Sequence, residues 1–314
     1  MSREFQTGLV SIGMPVYNGA LFLDEALSSL SAQDYPHFEL IISDNASTDT
    51  TEKICRAWSA RATRIKYLRH RAKVDVFANF NSSIEAARGE FFMWAADDDL
   101  WEPSFVRTLV ELLRRDPGAA LAFCDFNNFD REINSGPTYP RVRELPGPDR
   151  FTRLWRFLRQ KEREGKANLI YGLMRRDALE AAGGFRAWGR GVWGADMLTV
   201  FRLLAEGNLV LSDKRLFHKR VSPPRESNDS FPSKLDRPWN VAQQKKRDKL
   251  GYLAGYTAII ESLPGLTRAQ RLILRFELVR QWAYVCVREN GQAGVLSARH
   301  LWRPASGKAV HRGS

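Results

Sequence analysis

Phe91-Phe92-Met93-Trp94-Ala95-Ala96-Asp97-Asp98-Asp99-Leu100 is an apolar run that ends in three consecutive carboxylates. Its opening residues suit a strand buried on both faces, and the acids begin where such a strand should emerge. Three adjacent anions repel one another, a cost that makes sense beside a cation, and carboxylate oxygens are what Mg2+ or Mn2+ prefers. The competing reading is an acidic loop in which Asp99 caps the helix that Pro103 helps to begin. The neighbouring sequence decides between them.

Upstream, residues 9–15 predict a short strand that Pro15 terminates. Tyr17-Asn18-Gly19 predicts a turn, with Asn18 as N-cap of a helix carrying Leu23, Leu27 and Leu30 on one face. Residues 38–43 form a second strand that runs into Asp44-Asn45-Ala46-Ser47-Thr48-Asp49, a loop saturated with capping residues, and a helix follows through Ile54 and Trp58. A third strand at 65–68, a helix at 79–87, the acid-tipped strand at 90–94, a helix after Pro103 and a strand at 119–123 continue the alternation. Alternating strands and helices define an α/β fold with a mostly parallel central sheet flanked by helices. Ligands of such sheets bind beyond the carboxyl ends of the strands, where Pro15-Val16-Tyr17-Asn18, Asp44-Asn45 and the acid triplet all fall. An aromatic, a hydrogen-bonding carboxylate and a metal-type acid cluster suit a base, a ribose and a diphosphate. The chain holds neither a P-loop nor a GxGxxG fingerprint, so a diphosphate here would rely on a divalent ion.

Further along, residues 130–166 are irregular and rich in Pro, Gly and Arg, an acceptor-facing insert by expectation. Residues 168–174 predict another core strand and 176–182 a short helix closed by Gly183-Gly184. A tryptophan-bearing loop then leads to Asp196 at the mouth of an amphipathic helix, where the ordinary role of an Asp is helix capping.

The whole chain of 314 residues allows one large α/β domain with an appendage. Three scattered cysteines without a CxxC pair fit a reducing compartment and argue against a disulfide framework or a zinc site. No apolar stretch reads as a signal or spanning helix, so the expected location is cytoplasmic, with contact at the inner face of a membrane in view. The net charge of +12 is uneven: residues 1–120 hold 13 Lys/Arg against 17 Asp/Glu, and the rest carries +16. A basic half suits an anionic partner.

With these residues in order, the chain resembles the family 2 glycosyltransferases of GT-A fold. The resemblance rests on Ser11-Ile12-Gly13-Met14-Pro15-Val16-Tyr17-Asn18, the Ile42 to Asp49 segment, Ala87-Arg88-Gly89-Glu90-Phe91, Asp97 to Asp99 followed by Pro103, and Gly183-Gly184-Phe185 leading to Asp196. It implies that Pro15, Val16 and Tyr17 line the nucleotide pocket, that Asp44 bonds the base or ribose, and that Asp97 neighbours the ribose or diphosphate. It implies a divalent metal, Mg2+ or Mn2+, with Asp98 as main ligand and Asp99 as second. The first acid of the family's DxD-type motif falls on Ala96, a departure. The family's Glu-Asp pair reads Ala195-Asp196, which keeps the Asp expected to act as catalytic base. In Lys214-Arg215-Leu216-Phe217-His218-Lys219-Arg220, taken to follow the last strand, His218 is a loose match to a family histidine and otherwise a surface residue.

The implied partners are a nucleotide-diphosphate sugar donor and a glycan or lipid-linked acceptor, with no nucleic acid. Residues 1–222 are expected to form the GT-A domain, its nucleotide half at about 8–125 and acceptor half at about 126–222, and 223–314 a basic helical C-terminal extension. Within 232–314, 15 Lys/Arg face 5 Asp/Glu, and Leu272, Phe276, Val279 and Ala283 form an apolar helix face. That face either packs on the catalytic domain or meets an anionic membrane. Two other classes compete: a nucleotidyltransferase, which shares sheet and metal but wants a glycine- and lysine-rich loop after its first strand, and a non-catalytic anion binder built on the basic half.

Overall fold

The computed structural model describes residues 5–130, 132–133, 136–187, 194–221 and 251–289. Residues 188–193, which include most of the tryptophan-bearing loop, and the 222/223 boundary lie outside the described residues.

The first half alternates as β1 (Gln6–Val16), α1 (Leu23–Ser31), β2 (Phe38–Asp44), α2 (Thr51–Arg61), β3 (Ile65–Arg69), α3 (Val76–Ala86) and β4 (Gly89–Trp94). It continues through β5 (Leu100–Trp101), α4 (Phe105–Arg115), β6 (Ala119–Phe129), α5 (Arg150–Arg159), β7 (Leu173–Arg175), α6 (Arg176–Ala181), α7 (Ala195–Glu206) and β8 (Asn208–Arg220). Two helices follow: α8 (residues 251–262) and α9 (Arg268–Glu289). One sheet runs in the order β3-β2-β1-β4-β7-β6-β8-β5. Strands β3, β2, β1 and β4 are parallel, and β6 is parallel to β8; β7 is antiparallel to both its neighbours, and β5 to β8. The sheet is therefore parallel through the half expected to take the nucleotide and mixed beyond it.

The periodicity explains the layering. Every residue of β2 is buried, and Phe91, Phe92, Met93 and Trp94 of β4 have no exposed surface, as expected for strands covered on both faces. Each such aromatic contributes roughly 2–3 kcal/mol by leaving water. Helix α1 buries Leu23, Ala26, Leu27 and Leu30, a stripe at helical spacing. Helices α8 and α9 join the same core through Tyr252, Leu253, Tyr256, Ile259, Ile260, Leu263, Leu274 and Leu278.

Three expectations change, and the α9 face left open is now placed. Asn18 does not cap α1, which starts at Leu23 without a side-chain cap; its Oδ1 instead accepts from Thr48 N at 2.8 Å, tying two loops together. Residues 168–174 are a 3-10 turn over Lys166–Tyr171 before the three-residue β7. In that turn the buried Lys166 ammonium donates to the Phe157 and Gln160 carbonyls at 2.9 and 2.7 Å, closing the end of α5. Residues 214–220 do not follow the last strand; they are its final half. On α9, Leu274 and Leu278 turn inward, while Leu272, Ile273 and Phe276 stay 54%, 44% and 65% exposed.

At the sheet end opposite the acids, Glu39 of β2 is buried and accepts from Ser11 Oγ (2.8 Å), Lys66 Nζ (2.7 Å) and Arg88 N, Nε and Nη2 (2.9, 3.1 and 3.0 Å). Burial works against its charge, but Lys66, Arg88 and Ser11 outweigh burial and hold the carboxyl below its usual range. A depressed carboxyl contributes stability above its unfolded-state pKa and loses it as pH falls through the folded value. Glu39→Gln should therefore cost about 2 kcal/mol at pH 7, and the gap between wild type and variant in urea melts should close in acid. A gap that stays constant into acid would refute this account of Glu39.

Candidate functional site

Three loops leave the carboxyl ends of β1, β2 and β4 side by side. The first two are laced together: Asn45 N donates to Val16 O (2.9 Å), Asn18 N to Ser47 Oγ (3.0 Å), Gly19 N to Thr51 Oγ1 (2.9 Å) and Ala20 N to Asp49 Oδ2 (3.3 Å). Asn18 and Ala46 are the two non-glycine residues at positive φ among the described residues, +49° and +56°. Left-handed backbone at an alanine costs roughly 1–2 kcal/mol, so the lacing must hold it.

Asp44 lies fully buried beneath these loops. Its Oδ1 accepts from Ser47 N (2.9 Å) and Ser47 Oγ (2.5 Å), and its Oδ2 accepts from Tyr67 OH (2.6 Å), with Arg69 Nε at 3.5 Å. In this state Asp44 organises the loop. Tyr17 is half-buried, with Lys73 Nζ 4.2 Å from its ring centroid, and Pro15 and Val16 form the adjoining strand end.

The three acids of the opening stretch part company. Asp97 is 9% exposed and packs over Gly19, where an added Cβ would lie 2.0 Å from Asp97 Oδ2 and 2.6 Å from Val16 Cγ2. A larger residue at Gly19 would force that carboxylate to move. Asp98 is partly exposed, and its carbonyl accepts from Arg220 Nε at 2.8 Å. Asp99 is fully buried: Lys219 Nζ donates to its Oδ1 and Oδ2 (3.1 and 2.9 Å), and Arg220 N to Oδ1 (2.9 Å). Burial pushes the Asp99 carboxyl up to about 6 in spite of Lys219. For Lys219 burial opposes the charge, yet Asp99 prevails and keeps the ammonium above its ordinary range.

Asp196 stands in the first turn of α7, where Met197 N donates to its Oδ1 at 2.8 Å. Burial raises its carboxyl, with the Met197 amide and Lys219 acting in the opposite direction. The neighbouring Ala195 is 2% exposed, so the position where the family carries Glu faces packed protein here. Tyr171 feels Lys219, Asp99, Asp98 and Asp196 together, and burial pushes its phenol up to about 12. One phenol, one ammonium and three carboxylates from four distant segments thus stand within electrostatic reach of one another. His218 is elsewhere: buried rather than surface, it bonds Asn127 Oδ1 (2.7 Å) and Glu102 Oε1 (2.9 Å) through its two ring nitrogens. Its role in these contacts is to join β8, β6 and the turn before α4.

Sequence reasoning missed Lys219, Arg220 and Tyr171. The first two stood in the basic segment that was quoted, but nothing local tells which of its members turns toward the acids. Among the described residues no three His, Cys, Asp or Glu side chains are grouped to hold a metal. Mg2+ is ordinarily held by one or two carboxylates and completed by substrate phosphates, and Asp98 beside Asp97 fits that donor set.

An open α/β sheet with its polar residues gathered at strand ends defines a protein whose ligand site lies beyond those ends, and comparison with known proteins names the family. The chain belongs to glycosyl transferase family 2, whose match covers residues 11–180. An uncharacterised glycosyltransferase of Rickettsia typhi is 30% identical over 136 residues, 43% of this chain and 42% of that protein. The glycosyltransferase GlyG of Streptococcus pneumoniae is 27% identical over 122 residues, 39% of this chain and 40% of that protein. The matches thus span about two fifths of these relatives. The fold is GT-A: S. aureus TarS 1–349 in complex with UDP aligns with a TM-score of 0.66 and 17% identity, covering 93% of this chain and 77% of that one. The mannosyltransferase PcManGT of Pyrobaculum calidifontis, in complex with GDP-Man and Mn2+, gives 0.54 and 18%, covering 93% and 78%. No helix among the described residues is long and apolar enough to cross a membrane.

Removing the charge on Lys219 tests its pairing with Asp99 directly. Lys219→Met leaves Asp99 buried without its counter-ion and should cost roughly 3 kcal/mol, while Asp99→Asn in the same chain should restore most of it. Additive losses in the double variant, read from denaturant midpoints, would refute the coupling.

Proposed function

We propose that this protein transfers a sugar from a nucleotide-diphosphate donor to a hydroxyl acceptor with inversion at the anomeric carbon. The observation that carries the reading is the placing of one carboxylate, Asp196, in the first turn of α7 within electrostatic reach of Lys219, the residue that holds the acid loop through Asp99. Family membership and a fold shared with nucleotide-sugar-bound structures support it.

The donor's base would lie against Tyr17, with Pro15, Val16 and Asp44 forming the pocket and Asp97 near the ribose and diphosphate. Asp98 would hold Mg2+ or Mn2+, which when bound neutralises charge developing on the departing diphosphate. Asp99 is reassigned: with both oxygens engaged by Lys219 and Arg220, it braces the loop. Asp196 takes the acceptor proton from the face opposite the leaving group, and one carboxylate so placed yields inversion. Release of nucleoside diphosphate, as opposed to pyrophosphate, separates this reading from a nucleotidyltransferase.

The acceptor is proposed to be a glycan or a lipid-linked sugar, reached at an anionic membrane on the cytoplasmic side. The outward residues Leu272, Ile273 and Phe276 of α9 border a cavity of about 370 Å3, with Arg268, Arg271, Arg275 and Arg280 on the same helix. Outward apolar side chains on a basic helix suit contact with anionic headgroups, with Arg271 held by the α8 end carbonyls and Arg275 and Arg280 paired with Glu261 and Glu277. Phe276→Asp should abolish flotation with phosphatidylglycerol vesicles; retained flotation would remove this surface from the account.

Asp196→Asn should preserve donor binding while transfer falls about 100-fold or more. Because burial raises Asp196, the base is lost on acidification at a pH above the ordinary carboxylate value of 3.8, and the acid limb of kcat/KM should lie there. The same raised pKa means that protonated Asp196 contributes stability that is fully present below its unfolded value and is lost as pH rises through the folded one. At pH 7 Asp196→Asn should therefore hold or raise Tm, and near-normal turnover in that variant would refute the assignment. Asp98→Asn should remove the Mn2+ dependence of binding to UDP-GlcNAc or GDP-mannose, measured with and without chelator.

A further inference from the structure

The turn that carries Asp196 is packed from outside the region that matches the family. Gly194 immediately precedes α7 at φ +80°, and an added Cβ there would lie 2.3 and 2.6 Å from Cδ2 and Cε2 of Tyr252. The ring of Tyr252 on α8 therefore lies close against the backbone two residues before Asp196. Its hydroxyl donates to Met197 Sδ at 3.3 Å, one residue after Asp196. A single side chain thus touches both flanks of the acid.

Tyr252 is itself held. Its oxygen lies 2.8 Å from Tyr256 OH, and because its own proton goes to the sulfur, Tyr256 is left to donate. The two rings meet edge to face at 4.7 Å, and Tyr256 packs edge-on against Phe201 of α7 at 4.9 Å. Tyr252 is 4% exposed and Tyr256 fully buried. Burial drives both phenols far above their ordinary range, with the Asp196 charge among the lesser contributors, so they remain neutral donors near that acid.

We infer that Tyr252 is a positioning residue, through which the C-terminal helices fix the Gly194–Met197 turn and hold Asp196 in line with the acceptor hydroxyl. The C-terminal extension then belongs to the reaction's machinery: whatever displaces α8 also displaces the base. The inference rests on the reading of Asp196 as base, and a misplacement of about 1 Å at such a group costs on the order of 100-fold in rate.

The test compares Tyr252→Leu, which removes the ring from Gly194 and the hydroxyl from Met197, with Tyr252→Phe, which keeps the ring. Two readouts are taken. Amide hydrogen exchange, which needs no substrate, should show residues 195–198 losing protection about 10-fold or more in Tyr252→Leu, with residues 10–14 unchanged as the folding control, and Tyr252→Phe should recover most of the protection. Release of nucleoside diphosphate from UDP-GlcNAc and GDP-mannose with Mn2+ should show kcat falling about 10-fold or more in Tyr252→Leu at unchanged donor affinity. In an Asp196→Asn background the same change should add nothing, because Tyr252 acts through that carboxylate. Unchanged protection at 195–198 in Tyr252→Leu overturns the inference, as does an undiminished loss of turnover in the double variant. Full turnover in Asp196→Asn alone overturns the base assignment and leaves the exchange result to judge the packing of the turn.

Discussion

The ion pair between Asp99 and Lys219 is the constraint on which the site depends. A carboxylate with no exposed surface is costly, and it is offset here by a two-oxygen contact to an ammonium and by the Arg220 amide. Those partners belong to the end of β8, about 120 residues downstream, so the shape of the loop after β4 depends on where that strand lies in the sheet. Arg220 extends the tie. Its guanidinium reaches Asp98 O and Glu25 Oε2 and lies 4.2 Å from the Phe22 ring centroid, fastening the acid loop to the start of α1. Asp97 stands above Gly19 and Asp99 pairs with Lys219, and Asp98 occupies the partly exposed position between them.

Much of this was legible in the sequence, and the reasons differ by element. Strands β1 to β4 and their helices could be read because an all-apolar run and a stripe such as Leu23, Leu27, Leu30 leave one structure each. The strand-end rule then located the polar loops without any coordinates. The failures have equally local causes. Leu169-Ile170-Tyr171 reads as strand because a short apolar run does not distinguish strand from a tight helical turn, and the buried Lys166 that settles it bonds carbonyls of another helix. Helix α9 carries two apolar stripes, one through Leu272 and Phe276 and one through Leu274 and Leu278, and only the packing partner shows which faces inward.

For the site, sequence could find the acids but not divide them. Asp97, Asp98 and Asp99 are chemically identical, and their separate environments come from Gly19, solvent and Lys219, each on a different segment. His218 attracted notice as a histidine in a basic stretch, whereas alternation along β8 sends it inward to Asn127 and Glu102 and sends Lys219 toward the acids. Tyr252 could not be found at all, since nothing near it in the chain hints that it rests on Gly194.

Strand β7 has a consequence for how such a protein changes over time. It is three residues long and pairs with β4 only at Phe91/Arg175 and Phe92/Met174, and with β6 only at Leu121/Met174 and Ala122/Leu173. The sheet is therefore two rafts joined by a seam two rungs wide. The raft with Tyr17 and Asp44 is closed by its own long parallel ladders, and the raft ending in Lys219 by the β6–β8 ladder. Side-chain packing across the seam, more than backbone hydrogen bonding, sets the angle between them. Substitutions in that packing can tilt one raft against the other while leaving every ladder intact, which gives natural variation a way to reshape one side of the site without rebuilding the other.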